Sequence, residues 1–231
     1  PLTILSVGGI DASAPVYVVD VQTLGKDIVF TPTTNSLKTL LEDESIVKVF
    51  FDCRNDSDAL FHQFNVVLAG VLELQVLDQA VRIQRGETPP QNCPYVFKGQ
   101  VQMLQGLETV ATRNGVVLKY MHAPHKTQSN VWARRPLQPD SIAYAANDIV
   151  AIKMLCLCLR QVSLMPQLHE AVQIHSERYA NECRGLQTNQ ATNKREEVAI
   201  VDIDTLPDDH AHSLPAWPMH MKGRLVWDRT R

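Results

Sequence analysis

The sequence predicts an α/β domain with mixed strand directions, and three observations carry that prediction. The run Ile46-Val47-Lys48-Val49-Phe50-Phe51 is almost continuously apolar, as in a strand buried on both faces of a sheet. Two β-rich runs near the start, 2–10 and 16–21, are joined by the turn residues Asp11-Ala12-Ser13-Ala14-Pro15 and so form a hairpin or near-hairpin. Helical patterns alternate with these runs, which is the arrangement from which layered α/β folds are built.

The elements follow in order. Leu24-Gly25 closes the second strand. Residues 35–44 form a helix that Asn35 or Ser36 can cap, with Leu37, Leu40 and Leu41 on one face. After the buried strand, Asn55-Asp56-Ser57 ends it and offers a cap, and 57–64 is helical. Val66 to Leu77 holds a short strand that runs into a helix around Asp78–Ile83. Residues 84–100, with Pro89, Pro90 and Pro94, form a loop, and 101–113 return to helix. Residues 119–138 are an irregular basic segment. Helices follow from about Pro139 to Leu159 and from Pro166 to Tyr179. The polar stretch 184–197 reads as a linker. Beyond it come one strand-like run, Val198 to Ile203, and a tail with Pro207, Pro215 and Pro218. The domain is thus expected over 1–182, with 183–231 as linker and poorly structured tail.

Composition narrows the function classes. The chain has 231 residues, 22 basic and 25 acidic, for a net charge of −3; 45% of residues are hydrophobic and 20% charged. Those proportions suit a globular protein and exclude fibrous and wholly disordered ones. No apolar run approaches the roughly 20 residues of a bilayer span, so no membrane partner is expected. The start lacks a basic n-region and a cleavage site, so it is no signal peptide. It also lacks an initiator Met and opens directly in strand-like sequence, as a piece of a longer protein does. The five cysteines are odd in number without zinc spacing, which points to a reducing compartment, cytoplasmic or nuclear. Cys156 and Cys158 read as small core hydrophobes. Asp208-Asp209-His210-Ala211-His212 reads as a solvated run rather than a metal site.

Charge is unevenly distributed. No acidic residue lies between Glu108 and Asp140, while Arg113, Lys119, Lys126, Arg134 and Arg135 occur there with His122 and His125. Such a stretch can follow a polyanion backbone. The alternative, a solvated loop whose charges are offset by acids elsewhere in the fold, stays open.

Two segments carry candidate chemistry. In Lys48 to Leu60 a buried strand emerges into a turn with Asp52, Asp56 and Asp58, at the strand end where α/β sheets present ligands. In the second, Trp132-Ala133-Arg134-Arg135-Pro136-Leu137 leads into Ile142 to Asp148. Tyr144 and Asp148 are four apart and share a helix face, with small alanines beside them. A carboxylate can bind a cation while a phenol next to it orients the attacking water.

With these motifs the sequence resembles the DEDDy 3′–5′ exonucleases of RNase D and Werner-exonuclease type, and among them the Egalitarian-type and fungal domains. The resemblance covers roughly residues 2 to 160. Its third motif matches Trp132, Arg135, Pro136, Leu137, Tyr144 and Asp148, and its second places the metal-binding aspartate at Asp56. It implies an RNase H-like mixed sheet flanked by helices. It also implies two Mg²⁺ or Mn²⁺ ions, with Asp56 and Asp148 as ligands and Tyr144 positioning water. The substrate class it implies is RNA or single-stranded DNA, degraded from the 3′ end. Trp132 is expected to anchor the basic loop in the core.

The first motif of that family, an aspartate and a glutamate two residues apart on the first strand, has no counterpart here. Asp11 and Asp20 lie at the wrong places to replace it. The resemblance therefore supplies two of four carboxylates, and an RNase H-like sheet without its first strand keeps an open edge. The chain taken alone is expected to be marginally stable and inactive. Two functions stand side by side: a metal-dependent 3′–5′ exonuclease, or a degenerate nuclease fold that binds RNA or a protein partner without cleaving.

Overall fold

The computed structural model describes residues 2–11, 13–33, 36–87, 104–118, 130–182 and 225–228. Strands β1 (Leu5–Gly9) and β2 (Val16–Val19) pair antiparallel, with Leu5 opposite Val19 and Gly8 opposite Val16. The short helices α1 (Val21–Leu24) and α2 (Lys26–Val29) follow, and Asp20 caps the first by accepting from Thr23 N at 3.0 Å. Helix α3 (Leu37–Glu42) starts at Ser36, whose hydroxyl accepts from Thr39 N, as the capping pattern predicts. Strand β3 (Lys48–Phe50) is wholly buried, as its apolar run requires, and leads into α4 (Arg54–Phe64). Strand β4 (Val71–Glu73) pairs parallel to β3 and runs directly into α5 (Leu74–Gln84). Helices α6 (Leu107–Arg113), α7 (Pro139–Leu159) and α8 (Pro166–Glu182) complete the helical layers.

One strand comes from the segment read as linker and tail. β5 (Leu225–Asp228) lies in the middle of a five-stranded sheet of order β2-β1-β5-β3-β4, antiparallel to β1 and parallel to β3. The place left open in the sequence reading is therefore filled from the far end of the chain. Its brevity and its position after a long polar stretch hid it from a periodicity search. The strand-like run Val198 to Ile203 lies outside the described residues.

The main core joins Leu5, Val7, Val49, Phe50, Leu72 and Leu77 to Ile149, Ile152 and Leu155 of α7. α7 packs on β1, β2 and β5, whereas α8 packs on β4, α4 and α5. By length and composition alone α7 could cross a membrane, which the sequence reading did not foresee. Half of its apolar stretch is buried inside the domain, and this packing accounts for its composition. Cys156 lies in the core and Cys158 is half-buried against it, both as free thiols.

A smaller cluster fixes the start of α7. Ile4, Val131, Trp132 and Ala145 are buried together, with Val18, Leu137 and Tyr144 against them. Arg135 fastens this segment to the hairpin. Its guanidinium grips Asp20 with two hydrogen bonds, at 2.5 and 2.6 Å, and also donates to the carbonyls of Trp132, Arg134 and Thr3. The two parallel bonds make this a fork-to-carboxylate pair, the strongest geometry for such an interaction.

Two predictions arise from this packing. A Cβ on Gly8 would meet Ile149 Cγ2 at 2.9 Å and Val16 Cγ2 at 3.4 Å, both on side chains stiff at χ1. Gly8→Ala should lower unfolding free energy by roughly 1–3 kcal/mol, seen as a lower urea midpoint with unchanged slope. The second concerns acid. Arg135 holds the Asp20 carboxyl down at about 2, against 3.8 for the free side chain. A lowered carboxyl stabilises the fold fully above its unfolded value, and that contribution is lost as pH falls from about 3.8 toward 2. Arg135→Gln should therefore be less stable than the parent at neutral pH, with the gap in melting temperature closing across that acid window.

Candidate active site

The turn after β3 is built around a buried carboxylate. Glu73, fully buried at the end of β4, accepts hydrogen bonds from the backbone N–H of Asp52 (2.7 Å), Cys53 (2.8 Å) and Gln75 (3.0 Å). Burial, with the neighbouring Asp52 charge, pushes its carboxyl above the usual range, and these backbone donors counter only part of that rise. Asp52 has φ +59°, a left-handed conformation that aspartate tolerates better than most residues. Its carboxylate takes a hydrogen bond from Arg54 Nε at 2.8 Å, and the Arg54 guanidinium lies 4.6 Å over the Tyr179 ring of α8. Ser57 Oγ donates to the Ala180 carbonyl, and Ser176 Oγ accepts from Glu73 N. The first turn of α4 is thus fixed from two sides, by β4 and by α8.

Asp56 sits inside that first turn, only 4% exposed. It does not cap the helix, as its place after the strand suggested: the N-cap is Cys53, which makes no side-chain cap bond. The turn carries a caretaker in Glu73 instead, a residue that sequence reasoning missed. The signal for it was present, since an acid at the end of an apolar strand is costly to bury without several donors.

Asp148 and Tyr144 are placed by α7. Ala145 packs on Ile4, and the approach of Ile149 to Gly8 brings the next turn against β1. Asp148, between them in height, is 7% exposed. Tyr144 is half-buried one turn earlier, its ring 6.3 Å from that of Trp132 and tilted by 45°. The start of β1 lies at the same end of the sheet as the carboxyl ends of β5 and β3. Asp56 and the Tyr144–Asp148 turn therefore belong to one end of the sheet, on separate elements.

Two deeply buried carboxylates supply charged oxygen donors, which suit a hard divalent cation. Among the described side chains no three His, Cys, Asp or Glu gather as a cation site. Asp52 is engaged by Arg54, and Asp58 faces His62 Nε2 at 3.5 Å.

The basic stretch divides. Arg113 is held by Asp78, at 2.5 Å, and by Gln105, and Arg135 is held by Asp20. Acids distant in sequence thus offset two of the five cations, which leaves them poorly placed to neutralise phosphate. Arg134 is exposed, and Lys119 and Lys126 lie outside the described residues. Trp132 is buried against Ile4 and Ala145, an anchor for this segment.

Comparison with known proteins supplies the family. A family described as 3′–5′ exonuclease matches residues 7–162. The piRNA biogenesis protein EXD1 of Mus musculus is 31% identical over 145 residues, which covers 62% of this chain and 24% of that protein. Its Homo sapiens counterpart is 31% identical over 151 residues, covering 62% and 27%. The chain spans about a quarter of the length of these relatives. Trypanosoma brucei RNase D, solved in complex with RNA U12, superposes with a TM-score of 0.59 at 25% identity, covering 89% of this chain and 60% of that one. The mixed sheet flanked by helices is accordingly the RNase H-like fold of those nucleases, and the chain belongs to the DEDDy-type 3′–5′ exonuclease family.

Proposed function

We propose that this chain is the catalytic domain of a metal-dependent exonuclease that removes nucleotides from the 3′ end of single-stranded RNA. The observation that carries the reading is the burial of Asp148 one helical turn from Tyr144, at the end of the sheet where Asp56 is also buried. RNA is favoured over DNA by two relatives: an RNase D solved with RNA, and a protein named for piRNA biogenesis.

Asp56 and Asp148 would hold Mg²⁺ or Mn²⁺, which when bound supplies an activated water and offsets charge on the leaving 3′ oxygen. Tyr144 would orient that water through its hydroxyl, with the tilted Trp132 ring beside it. Ala143 and Ala146, small and half-buried on the same helix, leave room for the terminal nucleotide to approach. Glu73 acts at one remove. By fixing Asp52 and Cys53 it sets where α4 begins and therefore where Asp56 stands.

A non-catalytic RNA-binding role draws its support from the fact that no three His, Cys, Asp or Glu side chains gather as a cation site among the described residues. Turnover separates the two readings. The missing first strand was the reason to expect an inactive chain, and β5 occupies the centre of the sheet instead. With 3′-labelled single-stranded RNA and Mn²⁺ the chain should therefore release mononucleotides, Asp148→Asn should bring release to background, and Tyr144→Phe should slow it by about 100-fold. Binding of RNA with no release from the parent chain would establish the non-catalytic role.

Glu73→Gln keeps a carbonyl oxygen for Asp52 but puts an amide where Cys53 N–H needs an acceptor. It should lose roughly 1–3 kcal/mol of stability. It should also lower kcat with little change in KM, because RNA contacts remain while Asp56 shifts.

A further inference from the structure

Helix α8 lies beyond residues 7–162, the part of the chain that the exonuclease family matches, yet its final turns reach the turn that carries Asp56. Ser176, Tyr179 and Ala180 stand at i, i+3 and i+4 and so share one face of the helix. That face meets β4 and α4. Ser176 Oγ accepts from Glu73 N, the Tyr179 ring lies 4.6 Å from the Arg54 guanidinium, and the Ala180 carbonyl accepts from Ser57 Oγ.

These contacts bracket Asp56. Arg54 and Ser57 are three apart on α4 and share a face, with Asp56 between them in the chain. Cys53, at the N-cap, makes no side-chain cap bond, so the hold on this turn comes from more distant residues. Ala180 belongs to the last turn of α8, whose carbonyls have no partner within the helix, and Ser57 meets one of them. The same helix end is the negative pole of its backbone dipoles, which favours a cation such as Arg54 beside it.

Arg54 turns this packing into leverage on the site. Arg54, Ser57 and Tyr179 are all buried, and a guanidinium taken out of water needs its charge met. Asp52 meets it with a carboxylate at 2.8 Å, and Tyr179 meets it with the face of an aromatic ring. Asp52 is also a backbone hinge, with φ +59° and its N–H held by Glu73. A displaced guanidinium therefore pulls on the residue that sets where α4 begins.

We propose that Tyr179 is a positioning residue for the nuclease reaction. Acting through Arg54, it holds the first turn of α4 so that Asp56 stands where the cation binds. Helix α8 thereby belongs to the working unit, although it lies outside the residues that the family matches. The proposal rests on the nuclease reading above and extends it to a residue that touches neither cation nor RNA.

The test uses the full 231-residue chain, with Mn²⁺ binding read by loss of the free-ion resonance and turnover read on 3′-labelled single-stranded RNA. Tyr179→Leu should weaken Mn²⁺ binding and lower kcat by about tenfold each, with KM within about twofold. Tyr179→Phe keeps the ring over Arg54 and should match the parent. Leu168→Ala, buried in the first turn of the same helix, removes packing alone. It should lower the melting temperature and leave Mn²⁺ affinity and kcat at parent values. Should Tyr179→Leu fail to fold, Arg54→Lys loosens the same link from α4 and should give the same losses. A folded Tyr179→Leu or Arg54→Lys that changes only the melting temperature overturns the proposal and leaves the nuclease reading intact. Equal losses in Tyr179→Phe and Tyr179→Leu overturn the route through Arg54. A parent chain that binds no Mn²⁺ overturns the nuclease reading and this proposal together. Where the parent binds Mn²⁺ without turnover, the ratio of affinities alone decides: a tenfold loss in Tyr179→Leu supports the proposal, and parent affinity overturns it.

Discussion

Glu73 is a carboxylate held where water cannot reach it, and the geometry of the site depends on what it does there. Three backbone N–H groups converge on its two oxygens, from Asp52, Cys53 and Gln75. Burial favours the neutral acid and holds the carboxyl above its usual range, and these donors offset part of that penalty. The result is a rigid junction at which β3 ends, α4 starts and α5 starts. Such a junction does mechanically what a helix cap does, but from another strand. It leaves Asp56 free of the capping duty that its sequence position suggested.

The opposite wall of the site is set by size rather than charge. α7 can lie against β1 only because Gly8 presents no Cβ to Ile149. One turn toward the helix start, Ala145 allows the same closeness to Ile4. Asp148 is carried between these two contacts and is buried as a consequence of them. The Asp20–Arg135 pair then fixes the segment that enters α7, so that Trp132 stands beside Tyr144. Charge pairing thus anchors the frame, close packing sets the depth, and the acids ride on both.

Much of this was legible in the sequence because it is local. The buried strand over Lys48 to Phe50, the hairpin and the long helix from Pro139 each announce themselves through periodicity or composition. Tyr144 and Asp148 are four apart on one helix, so their shared face needs no tertiary information. What escaped was non-local. Glu73 serves a turn twenty residues earlier in the chain, Asp20 neutralises an arginine more than a hundred residues away, and Asp78 does so for Arg113. A count of charges along the stretch from Glu108 to Asp140 cannot see acids that fold onto it. The same limit hid β5, whose four residues carry no pattern of their own and gain meaning only from the strands on either side.

The position of β5 also alters how the sheet must be thought of energetically. A central strand forms backbone ladders on both sides, so its absence would leave two edges unpaired in the interior of the sheet, not one at its margin. The two halves, β2-β1 and β3-β4, have no ladder with each other except through β5. α7 bridges them from above, but helix packing cannot satisfy backbone N–H and C=O groups. Closing that gap with a distant segment costs loop entropy, which grows only as the logarithm of loop length. The hydrogen bonds of two ladders outweigh a term that increases by roughly 0.6 kcal/mol per doubling of the loop. Sheet continuity is therefore reason enough for a strand so far along the chain to take the central place.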